Sequence, residues 1–232
     1  MIQIICLLLF SWLIIWWYEK GNLSILGFQP TVKRASYFVI LFIVSALISA
    51  SAFLLKMYFA EEHYVLNTSM HTRLFFQESW FQIRSVLTEE LLCRGVLLYI
   101  MIRQLGTRKA IVLSSLLFAL LHWFNSGVWG NILQMAMVFV FTFVMGLLLA
   151  FAYARSNSIL LPFAIHLGWN WVQNFIFSGN GAAHPVFVLA APPPTVTISY
   201  LAFFTMLLFP KIAVLAINFG IVQTYKPAKE EF

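Results

Sequence analysis

Apolar stretches alternate with short polar segments along the whole chain, and this pattern predicts helices that cross a membrane. One crossing needs about 20 mostly apolar residues. The apolar windows predict about seven spans, at roughly 2–18, 35–59, 85–103, 110–124, 131–153, 158–177 and 196–219. Between the second and third spans, residues 60–84 mix charged and aromatic side chains, a pattern typical of an amphipathic helix lying in the membrane interface.

The composition strengthens this interpretation. Of the 232 residues, 62% are hydrophobic and only 9% are charged, whereas soluble domains contain about 25% charged residues. We therefore expect an all-α, polytopic transmembrane helix bundle, with residues 1–232 forming a single integral-membrane domain in a lipid bilayer. The basic residues are scattered between apolar spans and form no patch, which argues against a nucleic-acid partner. The pattern does not predict an oligomeric state.

The placement of the basic residues predicts how the bundle is oriented. Lys and Arg are concentrated in the loops at about 19–34, 103–109 and 154–157 and in the C-terminal tail with Lys226 and Lys229. Short cytoplasmic loops are enriched in these residues, so we expect the N-terminus outside and the C-terminus in the cytoplasm. A prokaryotic inner membrane is the expected location, although the charge pattern itself does not indicate it. The first apolar run has no basic leader and no small-residue cleavage site, so it is predicted to be a retained helix.

The third predicted span contains three ionisable residues, Glu89, Glu90 and Arg94. Each costs about 2.5 kcal/mol or more on insertion scales, so such residues are rare in spans and usually functional. Glu90 and Arg94 are one helical turn apart, with the acid on the N-terminal side, which favours an ion pair. Glu89 is turned about 100° away from Glu90 and shares a face with Cys93. One carboxylate is thus predicted to be neutralised, and the other is available for a different role.

Two further spans carry polar residues at a similar predicted depth. His122 lies in the fourth span, and His166 and Asn170 lie four residues apart, on one face of the sixth. With a rise of about 1.5 Å per residue, Glu89, His122 and Asn170 lie about 18 to 21 Å from the cytoplasmic side, and His166 about 13 Å. We therefore expect these side chains to meet in one polar cavity within the membrane.

These residue types are sufficient for hydrolysis of an amide bond. A carboxylate beside a histidine can hold a water molecule and take its proton, and a second histidine with an amide can donate hydrogen bonds to a developing oxyanion. Other protease chemistries lack their residues in this chain. It contains no His-Glu-x-x-His sequence, no Asp and no Gly-x-Ser elbow.

Three motifs follow one another on three spans, in the order Glu89-Glu90-x-x-x-Arg94, Phe118-x-x-x-His122 and His166-x-x-x-Asn170. They resemble the motifs of the CPBP family, the CAAX-protease and bacteriocin-processing family that includes the Rce1-type prenyl-protein endopeptidases and the bacterial Abi-type proteins. The resemblance covers a motif-bearing core at about 85–175. The other spans match only as hydrophobic segments.

This resemblance implies an intramembrane endopeptidase that acts on a small protein or peptide substrate. It also implies that Glu89 activates water together with His122, that His166 and Asn170 form the oxyanion site, and that Glu90 and Arg94 hold the arrangement together. We expect a glutamic-type mechanism with no cofactor. Two histidines and a glutamate could also bind Zn²⁺ with an open position for water, an alternative that is not favoured.

Two other functions fit the same residues. A non-catalytic protein could keep the CPBP scaffold for peptide binding or bacteriocin immunity, and a small transporter could use Glu89 as a proton carrier. At single positions, a structural ion pair or hydrogen bonds between helices would also explain buried polar groups. The structural ion pair accounts for Glu90 and Arg94 but leaves Glu89 without a role.

Overall fold

The computed structural model describes residues 2–125, 127–177 and 184–226. These residues form a bundle of α-helices with one small sheet, so the predicted all-α architecture is confirmed. The helices are α1 (Ile2–Glu19), α2 (Val32–Phe59), α3 (Thr72–Arg94), α4 (Val96–Leu105), α5 (Thr107–Leu121), α6 (Ile132–Ser156), α7 (Leu160–Trp171) and α8 (Tyr200–Thr224). The two strands are β1 (Tyr64–Leu66) and β2 (Phe187–Leu189). Lys229, which contributed to the predicted orientation, lies outside the described residues.

Among the described residues, five helices are long and apolar enough to cross a membrane, so the chain is an integral membrane protein. They are α1, α2, α5 with the 3-10 turn that extends it to Phe124, α6 and α8. The predicted count of seven is not confirmed. Helix α3 is too rich in charged residues to qualify, and α7 has only 12 residues before the chain continues as a π-helical turn at Val172–Ile176.

The single helix predicted at 85–103 is wrong, because the chain breaks at Gly95. Helix α3 ends at Arg94, and α4 begins at Val96. A Cβ atom at Gly95 would lie 2.1 Å from the carbonyl oxygen of Leu91, so only glycine fits at this junction. On the N-terminal side, α3 begins at Thr72, so the second half of the predicted interfacial segment belongs to the same helix as Glu89 and Glu90.

Helix α7 lies inside the bundle and packs against α2, α3 and α6. Its approach to α2 is close, because a Cβ atom at Gly168 would lie 2.4 Å from the carbonyl oxygen of Phe42. At the same contact, the Ser49 hydroxyl of α2 donates a hydrogen bond to the carbonyl oxygen of Trp169, at 3.0 Å. Small residues allow membrane helices to approach in this way. The contact fixes the helix that carries His166 and Asn170.

The basic loops come together at one end of the bundle. Arg34, at the start of α2, donates to the carbonyl oxygen of Ser156 at the end of α6, at 3.4 Å. Arg155 donates to the carbonyl oxygen of Gln223 near the end of α8, at 3.3 Å. The sequence predicts that the basic loops lie on the same side of the membrane, and this grouping agrees with that prediction. The orientation of this end relative to the cytoplasm stays a prediction.

The opposite end of the bundle carries the small sheet. Strand β1 pairs antiparallel with β2, with Val65 opposite Val188. Beside the pair, the Tyr64 hydroxyl donates to Oε2 of Glu62, at 2.7 Å. Burial, and then this hydrogen bond to Glu62, raise the pKa of Tyr64 well above its usual value. The phenol therefore stays protonated and can donate this hydrogen bond.

Candidate active site

The two adjacent glutamates of α3 have opposite surroundings. The side chain of Glu90 is fully buried, whereas that of Glu89 is 36% exposed. Oε1 of Glu90 accepts a hydrogen bond from Nη1 of Arg94 at 3.2 Å and lies 2.7 Å from Nδ1 of His166. The predicted Glu90–Arg94 pair is therefore present, and it is joined to α7 through His166. A buried carboxylate with two partners is suited to holding helices in place.

Phe118 of α5 packs among these groups. The guanidinium of Arg94 lies over its ring, 4.0 Å from the ring centroid. The rings of His122 and His166 meet the same ring in edge arrangements, with centroid distances of 4.3 and 5.5 Å. A cation above an aromatic face and rings at its edge are both favourable contacts. The first residue of the second motif thus connects the charged groups of α3 with both imidazoles.

Glu89 faces both histidines. Its Oε2 atom lies 3.9 Å from Nε2 of His122 and 3.7 Å from Nε2 of His166. Its Oε1 atom accepts a hydrogen bond from the Ser85 hydroxyl, one turn earlier on α3, at 3.5 Å. The two distances to imidazole are longer than direct hydrogen bonds. Polar atoms at such separations are commonly bridged by a water molecule.

Hydrogen bonds to the far side of each ring determine how the imidazoles face Glu89. Nδ1 of His122 lies 2.8 Å from the carbonyl oxygen of Phe118, which can only accept, so Nδ1 carries the proton. Nδ1 of His166 donates in the same way to the carboxylate of Glu90. In the neutral rings, Nε2 is therefore the acceptor. On His166 this atom receives a hydrogen bond from the Asn170 amide, at 3.1 Å.

A cavity of about 1240 Å³ opens on these atoms. Glu89, His122, His166 and Asn170 line it, whereas Glu90 and Arg94 lie behind the wall, with fully buried side chains. The structure thus brings all six predicted residues together, four at the cavity and two in its support. Their catalytic roles stay predictions.

The cavity wall also includes polar residues that the sequence did not single out, among them Ser85, Gln134 and Asn174. Asn174 follows Asn170 by four residues and so continues the face of α7, a spacing that could have indicated it. It lies on the π-helical turn Val172–Ile176. Such turns occur frequently at functional sites. Nothing in the local pattern indicates Gln134, which reaches the cavity from the start of α6.

Metal binding was the alternative to a cofactor-free site. Within residues 2–125, 127–177 and 184–226, no group of three or more His, Cys, Asp or Glu side chains is arranged to hold a metal ion. The expectation that the site works without a cofactor remains a prediction, because metal content has to be measured on the protein.

Residues 71–172 match the family model described as type II CAAX prenyl endopeptidase Rce1-like. The matched segment runs from the start of α3 to the end of α7 and contains all six residues of the site. No curated protein and no solved structure gives a significant match. The family match confirms the resemblance to the CPBP family. At the level of the family, it supports a CAAX-protease-type intramembrane peptidase.

Proposed function

We propose that this protein is an intramembrane endopeptidase in which Glu89 is the general base that activates water. The observation that carries the proposal is the position of the Glu89 carboxylate, which is open to a large cavity and faces Nε2 of both His122 and His166. Glu90 does not fit this role, because it is fully buried and occupied by Arg94 and His166. The substrate is a protein or peptide.

In the first step, a water molecule lies between Oε2 of Glu89 and Nε2 of His122. It donates one hydrogen bond to each, and its lone pair points toward the scissile carbonyl carbon. Glu89 takes a proton as the water oxygen attacks, which gives a tetrahedral intermediate with a negative oxygen. His122 is fixed for this task, because its Nδ1–H is held by the carbonyl oxygen of Phe118.

Asn170 donates a hydrogen bond to the negative oxygen of the tetrahedral intermediate. Its amide nitrogen donates in every protonation state of the site, whereas Nε2 of His166 can donate only when the ring is an imidazolium. The Glu90 carboxylate lies 2.7 Å from Nδ1 of His166, so its negative charge stabilises the imidazolium form of that ring. When the intermediate collapses, the C–N bond breaks and Glu89 returns its proton to the leaving amine. The products are a carboxylic acid and an amine.

The Glu89→Gln variant tests this proposal. It keeps the size of the side chain and removes the base, so we expect cleavage of a peptide library by the purified protein to fall to background. Protein that elutes normally in detergent would show that the fold is kept. The matched control is Glu61→Gln, which makes the same change at an exposed carboxylate that lines neither large cavity. We expect it to cleave like the wild type.

The same experiment separates the competing functions. Wild-type protein that binds peptides without cutting them, and a Glu89→Gln variant that behaves identically, would indicate a non-catalytic scaffold. Loss of proton-coupled uptake in place of cleavage would indicate a transporter. Metal analysis of the purified wild type, together with activity after treatment with a chelator, tests the cofactor-free mechanism, for which we expect full activity without metal.

A further inference from the structure

A stripe of polar side chains continues along α3 from the proposed base toward the start of that helix. Glu78, Gln82, Ser85 and Glu89 follow one another at intervals of four, three and four residues, so they share one face of the helix. All four line the cavity of about 1240 Å³. The proposed mechanism uses Glu89, and Ser85 donates a hydrogen bond to it. The stripe thus extends the polar wall beyond the atoms that the reaction needs.

Gln82 is the buried member of this stripe. It is only 6% exposed, yet it lines the cavity. Within the described part of the chain, its side-chain amide forms no hydrogen bond with another protein group, although it carries two donors and an acceptor. Buried polar groups are almost always paired, and leaving one unpaired is costly. A buried amide that faces a cavity without a protein partner therefore indicates a ligand group in that cavity.

Two contacts show that α3 and α7 run in opposite directions on either side of Gln82. Near the proposed base, Oε1 of Glu90 lies 2.7 Å from Nδ1 of His166. Near the start of α3, the rings of Phe75 and Phe175 are 5.1 Å apart. Gln82 lies between these two contacts, and the facing segment of α7 and its π-helical turn carries the two asparagines of the cavity wall. A chain that passes along this part of the cavity therefore has amide groups on both sides.

The backbone of a peptide substrate supplies the groups that match this amide. An extended peptide exposes N–H and C=O groups along both edges, and these groups lose their water when they enter a buried site. The glutamine amide can accept a hydrogen bond from a backbone N–H and donate one to a backbone C=O, whereas a carboxylate can only accept. Since every residue carries these groups, such a contact holds the chain without selecting its side chains.

The spacing between Gln82 and Glu89 predicts which peptide unit is bound. Seven residues of helix correspond to about 10 Å, and an extended chain advances about 3.3 Å per residue. A substrate that lies along α3 therefore places a peptide unit about three residues from the scissile bond beside Gln82. We propose that Gln82 binds this backbone unit and holds the substrate extended across the site. This proposal rests on the proposed endopeptidase function and adds a substrate-binding residue to it.

A backbone-ester scan tests the proposal. In the best-cleaved library peptide, each peptide bond other than the scissile one is replaced singly by an ester, which removes the N–H group, weakens the carbonyl as an acceptor and keeps the shape. We expect one ester, about three residues from the scissile bond, to lower kcat/KM of the wild type about 3- to 10-fold through a higher KM, the range of one neutral hydrogen bond. Gln82→Leu should lower kcat/KM for the all-amide peptide by the same factor and should no longer distinguish this ester. Esters at other positions should have the same effect in both proteins.

Stability separates substrate binding from a structural role of Gln82. Gln82→Leu replaces a buried amide that has no protein partner with an apolar group of similar size, so its thermal unfolding temperature in detergent should equal or exceed that of the wild type. The matched control Gln104→Leu makes the same change at an exposed position. Gln104 lines neither this cavity nor the second one, of about 600 Å³, between α2, α6 and α8. The control should cleave every peptide of the scan like the wild type.

Three outcomes would overturn the proposal and leave the endopeptidase function in place. The ester scan could give the same profile for the wild type and for Gln82→Leu. Gln82→Leu could cleave the all-amide peptide as well as the wild type does. Finally, Gln82→Leu could unfold at a lower temperature and cleave all peptides of the scan less well by one common factor, which would assign Gln82 to helix packing.

Binding distinguishes failure of the function from failure of this contact. The Glu89→Gln protein, with and without Gln82→Leu, is titrated with the tightest-binding library peptide and its ester forms, each carrying a fluorophore, and fluorescence anisotropy is measured in detergent. An ester that weakens binding only when Gln82 is present, without cleavage by the wild type, would support the contact and contradict the endopeptidase function. An identical binding profile for the two proteins would contradict the contact.

Discussion

At the scale of single residues, the site depends on hydrogen bonds that fix each ring from behind. His122 is held by a backbone carbonyl on its own helix, and His166 is held by the Glu90 carboxylate. Both rings therefore present the same nitrogen to Glu89. Partners of this kind orient catalytic imidazoles and set their tautomer. The fully buried ion pair of Glu90 and Arg94 thus joins α3 with α7 and, through Glu90, also orients the His166 ring.

Replacing Asn170 tests the oxyanion site. Asn170→Ala removes the amide donor, and we expect kcat to fall by about 10²- to 10³-fold, the usual cost of losing one oxyanion donor, with little change in KM. Asn170→Asp keeps the shape but replaces the donor with an acceptor, so its loss should be at least as large. Steady-state kinetics on a library peptide provides the measurement. Wild-type kcat in Asn170→Asp would show that the residue only fills space.

Spacing along the sequence was enough to predict six residues of the candidate site and a contact within one helix, but not the contacts between helices. The Glu90–Arg94 pair could be predicted, because both residues lie on one helix, four positions apart. The contact between Glu90 and His166 could not, because it joins residues 76 positions apart and depends on how α3 packs against α7. The position of Gln134 at the cavity was missed for the same reason, since only the folded bundle brings the start of α6 to the cavity wall.

At the scale of helices, the position of α7 decides where His166 and Asn170 lie. Gly168 lies between these two residues and allows α7 to approach the backbone of α2. Hydrophobic patterns predicted α7 as part of a span but could not indicate how close this approach is. They also could not indicate the break at Gly95, since the apolar pattern continues through it.

Gly168→Ala tests this packing. The added methyl group would lie 2.4 Å from the Phe42 carbonyl oxygen and 3.0 Å from the Ser45 Cβ atom, so α7 must move away from α2. We expect a loss of about 1–3 kcal/mol in stability, the usual cost of overpacking, and a lower kcat because His166 and Asn170 move with the helix. Thermal unfolding in detergent and peptide cleavage measure the two effects.

The control for this variant is Gly220→Ala. Gly220 lies in α8, and a Cβ atom there would meet nothing within 4 Å. Alanine is favoured over glycine in helices by about 1 kcal/mol, so this variant should be as stable as the wild type or more stable. A Gly168→Ala protein with the stability and activity of Gly220→Ala would show that the approach of α7 to α2 is not required.

At the scale of the whole molecule, the two ends of the bundle differ in chemistry. One end collects the basic loops around Arg34 and Arg155, and the other carries the β1–β2 pair. The charge pattern of the sequence predicted the first end. It gave no indication of the second, because each strand has only three residues and its partner is more than 100 positions away.

Cysteine labelling in cells tests the predicted orientation. In a background without Cys6 and Cys93, single cysteines replace Lys33 at the basic end, and Val65 and Val188 at the sheet. We expect a membrane-impermeant maleimide to label positions 65 and 188 in intact cells, and position 33 only after permeabilisation. Labelling of positions 65 and 188 from different sides would contradict the strand pairing. Labelling of both only after permeabilisation would invert the orientation.

The contact between α2 and α7 also has a consequence for biosynthesis. Ser49 and its partner Trp169 are 120 residues apart. At about 5–20 residues per second, the ribosome needs on the order of ten seconds to make the intervening chain. During this time, the serine-bearing face of α2 has not yet met α7. The pocket is therefore completed late in translation, so an unfinished chain that is released early carries Glu89, the proposed base, without Asn170, the proposed oxyanion donor.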